Sequence, residues 1–207
     1  FRLYYFKQSD GAQSVATFPV SIGRMDWSTP LGRHRIAAKQ VRPTWYPPKS
    51  IREEHAADGR FLATAVPPGP DNPLGEYAMR LSVSSYLIHG TNKPAGIGMQ
   101  VTHGCIRMNP EDISWLFPQI RVGTPVQIVN QPVKFGWSPD GLFLEVHPVI
   151  DGDTQSTERG MTVLTEAYVE ATRERPADID WQLVEEVYRA KLGIPQSLAI
   201  TTDGFDA

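Results

Sequence analysis

Apolar and polar residues alternate over short stretches along much of the chain, and this alternation predicts β-strands. In the stretch 18–22, for example, Phe18, Val20 and Ile22 fall on one face of an extended segment. Strands are predicted over residues 1–6, 18–22, 35–41, 77–88 (with a bend at Ser84-Ser85), 126–129, 133–137 and 142–147. Turns rich in glycine and proline separate these stretches, which favours a mostly β fold.

Helical patterns are short and confined to a few places. Asn109 and Pro110 are residue types favoured at a helix start, and apolar residues then recur at helical spacing as far as Ile120. Three further helices are predicted, over residues 51–55, over residues 157–174 and from Asp178 to Gly193. The last two follow the hairpin at 133–147, so a small helical extension is expected there.

The dipeptide Gln131-Pro132 is the predicted boundary between two domains. Residues 1–131 contain most of the predicted strands, and residues 132–207 contain a hairpin and helices that we expect to pack on the first domain. The sequence opens on Phe1, inside a predicted strand, and not on Met. We therefore expect a further N-terminal segment or module to precede it.

The composition is that of a globular protein with one sizeable core. The chain has 207 residues, of which 41% are hydrophobic and 21% charged, and a chain of this size and balance buries a stable interior. The formal net charge of −3 gives no electrostatic reason to expect a nucleic-acid partner. No apolar run approaches the roughly 20 residues of a membrane-spanning helix, so no span is predicted.

Cys105 is the only cysteine in the chain, so it is a core thiol, a metal ligand or a nucleophile. His103 lies two residues before it, His89 sixteen residues before it, and Gly104 leaves the backbone free to approach a substrate. An imidazole draws a thiol toward the nucleophilic thiolate, so the pattern favours a nucleophile. It predicts a Cys105 pKa below the free-thiol value of about 8.5 and a thiol within hydrogen-bonding reach of His89.

The residues around Cys105 leave several roles open. His103 could tune the thiolate or hold its loop by hydrogen bonding, and Arg107 could bind a substrate carboxylate or form a structural salt bridge. The backbone amides of Gly104 and Cys105 are candidates for an oxyanion hole. Zinc is a competing chemistry, because His89, His103 and Cys105 could supply three ligands. The chain has no His-Glu-x-x-His or Cys-x-x-Cys pattern, so no metal is predicted.

The segments His89-Gly90-Thr91 and Thr102-His103-Gly104-Cys105-Ile106-Arg107 resemble the signature of the YkuD family of L,D-transpeptidases, which are bacterial cell-wall enzymes. Thr29-Pro30-Leu31-Gly32 and Asn72-Pro73-Leu74-Gly75 resemble two recurrent turns of that family. Glu145-Val146-His147-Pro148 and Asp180-Trp181 resemble the C-terminal extension of its ErfK-like proteobacterial branch. The resemblance therefore extends over nearly the whole chain.

This resemblance implies a fold, a location and a set of site residues. The fold would be a YkuD-type β-sandwich with a short helix after the catalytic motif and a small helical C-terminal extension. The protein would be an exported, periplasmic enzyme that needs no cofactor. The residues implied are Cys105, His89, Gly90 and His103 for catalysis, and Gly104, Arg107, Thr102 and Thr91 for oxyanion and substrate binding.

The resemblance also implies the reaction. Cys105 would attack the diaminopimelate–D-Ala bond of a peptidoglycan tetrapeptide stem, with His89 as general base oriented by the Gly90 carbonyl. The thioester would pass to an amine of a second stem and give a 3→3 cross-link. The same acyl-enzyme could instead be opened by the C-terminal lysine of an outer-membrane lipoprotein, or by water. From another class of function, the chain could be a peptidoglycan-binding module without catalysis.

The segment between Lys49 and Gly75 is long, polar and rich in proline. Connections of this length inside a compact domain are often functional. Because it leads into the strands that carry His89, we expect it to wall or cover the cleft around Cys105. The alternative is a surface insertion without a role.

Overall fold

The structure is a computed structural model that describes residues 1–9 and 12–198. It divides into two compact units, Phe1–Val129 and a second unit that begins at Asn130. The part of the predicted second domain beyond residue 198 lies outside the described residues. Within the described residues, no helix has both the length and the apolar character needed to cross a membrane.

The first unit is built on one mixed β-sheet, and the prediction of a mostly β fold is confirmed. Its hydrogen-bonded order is β1-β2-β7-β5-β4-β3-β8, and β6 pairs with β2 beside this path. Two pairings, β5 with β7 and β2 with β6, are parallel, and the others in the unit are antiparallel. The strands are β1 Arg2–Ser9, β2 Ala12–Gly23, β3 Gly32–Val41, β4 Tyr77–Leu81, β5 Leu87–His89, β6 Gln100–Thr102, β7 Ile106–Met108 and β8 Pro125–Ile128.

One apolar core fills the concave side of this sheet. Met79, Ile88 and Met108, from the three central strands, are almost fully buried in it. Tyr5 of β1 and Val126 of β8, from the two ends of the strand order, pack against the same core. The sheet therefore curls until its opposite edges share one interior, because a sheet buries its apolar face only against another layer.

The described residues of the first unit form two α-helices, α1 Lys49–Ala57 and α2 Pro110–Leu116. The helix predicted at Pro110 follows the cysteine motif directly and places Ile113 and Leu116 in the core. Asn109 occupies the N-cap position, but its side chain donates to the Asp112 carboxylate (3.1 Å) and makes no capping bond to the backbone. Short 3₁₀ turns occur at Met25–Trp27, Pro94–Gly96 and Phe117–Gln119.

The second unit packs helices on a small antiparallel sheet. Its strands follow the order β11-β10-β9 and its core includes Leu144 and Leu164, which are fully buried. The elements are β9 Val133–Ser138, β10 Gly141–Val146, α3 Thr154–Arg159, α4 Met161–Thr172, α5 Trp181–Ala190 and β11 Gln196–Ser197.

Two helix predictions in this unit were wrong. The single helix expected over 157–174 is broken at Gly160, whose φ of 41° and ψ of −116° lie outside helical geometry. The next helix is capped by Asp180 and not by Asp178. The Asp180 side chain accepts a hydrogen bond from the amide of Gln182 (2.8 Å) and so satisfies a free donor at the helix start.

Candidate active site

The cysteine motif and the upstream histidine lie on neighbouring strands because β5 and β7 pair in parallel. Ile88 is opposite Ile106, and His89 is opposite Arg107. Side chains alternate between the two faces of a strand, and paired residues share a face. The two isoleucines point into the core, so His89 and Arg107 lie on the other face. Cys105 immediately precedes β7, and its thiol is close enough to Arg107 to feel that residue's charge.

His89 is a buried, neutral base. The residue is only 5% exposed. Its Nδ1 donates a hydrogen bond to the carbonyl oxygen of Gly90 (2.6 Å). Because a carbonyl only accepts, this bond places the proton on Nδ1 and leaves the Nε2 lone pair free. Burial, and secondarily the positive charge of Arg107, lowers the pKa of His89 to about 4. The ring is therefore uncharged at neutral pH.

The loop that carries Cys105 is fixed by hydroxyl groups on either side. The Thr102 hydroxyl donates to the carbonyl of Cys105 (2.6 Å), and the Thr29 hydroxyl donates to the carbonyl of Gly104 (2.9 Å). Gly104 has a φ of 95°, and a Cβ on it would lie 2.6 Å from the ring of Tyr86. Only glycine fits both the conformation and the space.

The state of the Cys105 thiol differs from the sequence-based expectation. Cys105 is partly buried, and its thiol donates a hydrogen bond to the carbonyl of Ser85 (3.8 Å). Among the described residues the ring of His89 is not its hydrogen-bond partner. Burial raises the pKa of Cys105, although the backbone of Leu87 and the charge of Arg107 act in the opposite direction. The prediction of a lowered thiol pKa was therefore wrong, because desolvation disfavours the thiolate.

Within the described part of the chain, no acidic side chain forms an ion pair with the positively charged Arg107. Burial lowers its pKa, and the proximity of Cys105 raises it. Its Nε atom is buried without a hydrogen-bond partner, and no ion pair joins it to another described residue. The structural salt bridge that sequence analysis left open is thus not found there.

His103 contacts three residues, Glu54, Arg24 and Trp27, that the sequence did not indicate as part of the site. Its Nε2 lies 2.8 Å from a carboxylate oxygen of Glu54, whose other oxygen lies 2.5 Å from the guanidinium of Arg24. The ring of Trp27 meets His103 edge-on, with centroids 5.3 Å apart. The Glu54 pair spans 49 positions of sequence, so no local pattern could have indicated it.

The segment between Lys49 and Gly75 reaches the site at two points. Helix α1 of this segment supplies Glu54, which contacts His103. At its other end, Gly75 packs so closely on the backbone after β5 that a Cβ on it would lie 2.8 Å from the Thr91 amide nitrogen. Asn72 fixes this end, because its buried side chain donates to the Pro43 carbonyl (2.7 Å). The segment therefore contacts both parts of the motif, through His103 and through the backbone of Thr91.

Two threonines that were expected to bind substrate are buried. Thr102 is 2% exposed and uses its hydroxyl on the Cys105 carbonyl, as above. Thr91 is 4% exposed, and its hydroxyl accepts from the amide of Lys93 (3.0 Å). Among the residues that the structure describes, no group of three or more histidine, cysteine and acidic side chains is arranged to hold a metal ion.

The chain is similar in sequence to one protein family and to several curated proteins. Residues 1–128 match the family of YkuD L,D-transpeptidase catalytic domains. The chain is 36% identical over 200 residues to the probable L,D-transpeptidase YbiS of Escherichia coli K12, an alignment that covers 95% of this chain and 64% of that protein. It is 39% identical over 208 residues to the probable L,D-transpeptidase ErfK/SrfK of Salmonella typhimurium, over 98% of this chain and 66% of that protein.

Among solved structures, an L,D-transpeptidase from Mycobacterium smegmatis aligns with 61% of this chain and 54% of its own, at 21% identity and a TM-score of 0.46. The chain spans less than two thirds of the length of the two curated relatives named above. The match to the family covers the whole first unit up to residue 128, including both segments of the motif. This chain therefore belongs to the YkuD family of L,D-transpeptidase catalytic domains.

Proposed function

We propose that the protein is a cysteine-dependent peptidoglycan L,D-transpeptidase that acts in the bacterial periplasm. One observation carries this proposal. The parallel pairing of β5 and β7 brings a neutral His89, held through Nδ1 by the Gly90 carbonyl, to the strand that Cys105 immediately precedes. A neutral imidazole with a free Nε2 lone pair can activate a nearby thiol as a general base.

The resting pair is a neutral thiol and a neutral imidazole, since the pKa of Cys105 is raised and that of His89 is about 4. Activation therefore accompanies attack. As the sulfur adds to the carbonyl carbon between diaminopimelate and D-Ala, His89 Nε2 takes the thiol proton. It then gives that proton to the amine of D-Ala, the C–N bond breaks, and a thioester on Cys105 remains.

The oxyanion of this intermediate requires donors in fixed positions. The Thr29 hydroxyl holds the carbonyl of Gly104, and in a trans peptide the following N–H points the opposite way. Because the peptide plane cannot rotate freely, the N–H of Cys105 points away from Thr29. We assign this amide, with that of Gly104, to stabilising the negative charge.

The second half of the reaction uses the same groups. The side-chain amine of a diaminopimelate on another stem attacks the thioester carbon and transfers a proton to His89 Nε2. The C–S bond breaks, the sulfur regains the proton from His89, and the new amide is a 3→3 cross-link. No cofactor enters this sequence.

Arg107 is assigned to a carboxylate of the substrate. It lies on the catalytic face, its Nε has no hydrogen-bond partner, and a guanidinium binds carboxylates through two parallel hydrogen bonds. Thr102 and Thr91 are assigned to the shape of the loops and not to substrate contact, because both are buried and bonded to the main chain.

Incubation with a purified disaccharide–tetrapeptide tests the proposal. A cross-linked dimer that has lost one D-Ala identifies transpeptidation by mass spectrometry, and a monomer that has gained water in place of D-Ala identifies hydrolysis. Adding a peptide with a C-terminal lysine tests lipoprotein attachment. Cys105→Ser, of similar shape but weaker nucleophilicity, is the control and should give none of these products. Release of no D-Ala by the wild type, together with retained binding to peptidoglycan, would support the non-catalytic binding module.

A further inference from the structure

Glu54 lies in a closed ring of contacts around the start of the cysteine loop. The backbone amide of Arg24 donates to the Thr102 carbonyl (3.0 Å), and the Arg24 side chain binds one oxygen of Glu54 (2.5 Å). The other oxygen of Glu54 faces Nε2 of His103 (2.8 Å), which follows Thr102 in the chain. Helix α1 is thereby joined to the residue two positions before the nucleophile.

The contacts of Nε2 decide which nitrogen of His103 carries the proton. Two groups compete there, the Glu54 carboxylate at 2.8 Å and the Arg24 guanidinium at 3.3 Å. An ionised carboxylate only accepts, and a guanidinium only donates. Hydrogen bonds from Arg24 and then from His103 lower the pKa of Glu54 to about 2, so the carboxylate is ionised at neutral pH. The shorter contact therefore requires a proton on Nε2, and in the neutral ring Nδ1 is bare.

We propose that Glu54 is a positioning residue that fixes His103 as the Nε2-protonated tautomer. Nδ1 is then the nitrogen of this ring that can accept a proton beside the cysteine loop. The proposal rests on the proposed function in so far as it predicts an effect on turnover. A purely stabilising role explains the arrangement less well. The Arg24 and Glu54 side chains are each more than a third exposed, and ion pairs of that exposure contribute little to stability.

Glu54→Gln separates the tautomer from the contacts. Arg24 has only donors, so the amide oxygen of the glutamine stays on Arg24 and its NH₂ group faces Nε2 of His103. Nε2 must then accept, and the proton moves to Nδ1. Both contacts survive, but the ring is reversed, as happens to a catalytic histidine when its orienting aspartate becomes asparagine.

The neighbouring residue offers a matched control. Glu53 lies on the same helix, pairs with Lys49 (3.3 Å) and is 64% exposed at its side chain. Glu53→Gln removes the same charge from α1 without a contact to His103. Glu54→Ala is the second test variant, since it leaves Arg24 as the neighbour of Nε2 and predicts the same reversal.

The direct measurement is the ¹⁵N spectrum of the histidine rings at pH 8, with His103 assigned by its loss in His103→Asn. We expect protonated Nε2 in the wild type and Glu53→Gln, and protonated Nδ1 in Glu54→Gln. Turnover should fall about tenfold in Glu54→Gln with KM unchanged, the lower end of what loss of an orienting partner costs at metal-bound histidines. Glu53→Gln should match the wild type.

Two results would overturn the proposal. One is an unchanged His103 tautomer in Glu54→Gln, or in Glu54→Ala if the first variant does not fold. The other is a reversed tautomer with the turnover of Glu53→Gln. The spectrum needs no substrate, so an inactive wild type would refute the proposed function while the ring tautomer still decides whether Glu54 positions His103.

Discussion

Lowering the pH from 7 to 4 should destabilise the first unit by about 3 kcal/mol through His89 alone. The ordinary pKa of histidine is 6.5, and in the folded protein burial lowers that of His89 to about 4. Between these values the unfolded chain binds a proton that the folded chain does not. Stability therefore rises with pH in this window and is lost as the pH falls through it.

The magnitude follows from the gap between the two pKa values. A difference of about 2.5 at about 1.36 kcal/mol for each pKa unit gives roughly 3.4 kcal/mol at very low pH. At pH 4 half of the folded protein already carries the proton, which reduces the loss to about 3 kcal/mol. Solvent screening does not weaken this figure much, because the residue is only 5% exposed.

His89→Asn provides the comparison, because asparagine can still donate to the Gly90 carbonyl but does not titrate. The opening free energy of the first unit can be followed by hydrogen exchange in peptides covering 77–89 and 106–116, corrected for intrinsic exchange rates. Wild type should lose about 3 kcal/mol more than His89→Asn between pH 7 and pH 4. Equal losses in the two proteins would refute the argument that burial keeps the ring neutral.

Three further outcomes are expected. Alkylation of Cys105 by iodoacetamide should inflect above about 8.5, because burial raises its pKa; an inflection below that value contradicts the neutral resting pair. Thr102→Val should cost about 1–3 kcal/mol by leaving the Cys105 carbonyl unpaired, with Thr102→Ser restoring stability in urea titrations. Replacing Lys49–Ala57 by a glycine-serine linker should lower the ratio of cross-linked to hydrolysed product more than it lowers the acylation rate. Trimming the largely exposed residues 60–64 is the control and should leave that ratio unchanged.

Local patterns in the sequence were sufficient for most of the longer strands, but the short strands β6, β7 and β11 were not predicted. Alternation along 18–22 correctly places Val20 in the core with Phe18 and Ile22 packed against it, because side-chain direction in a strand depends only on residue parity. Pro110 likewise starts a helix at the predicted residue. The break at Gly160 was missed, because a glycine is compatible with either a weakened helix or a helix end until packing selects one.

The chemical state of the site was decided by the tertiary structure. The sequence determined that Cys105 and two histidines share a motif, and from this a lowered thiol pKa was expected. Burial of the thiol and of His89 reversed that expectation, because desolvation depends on the atoms packed around a group and not on its neighbours in sequence. The partner of His103 was equally beyond a local pattern, since only the folded chain brings Glu54 across 49 positions to its ring.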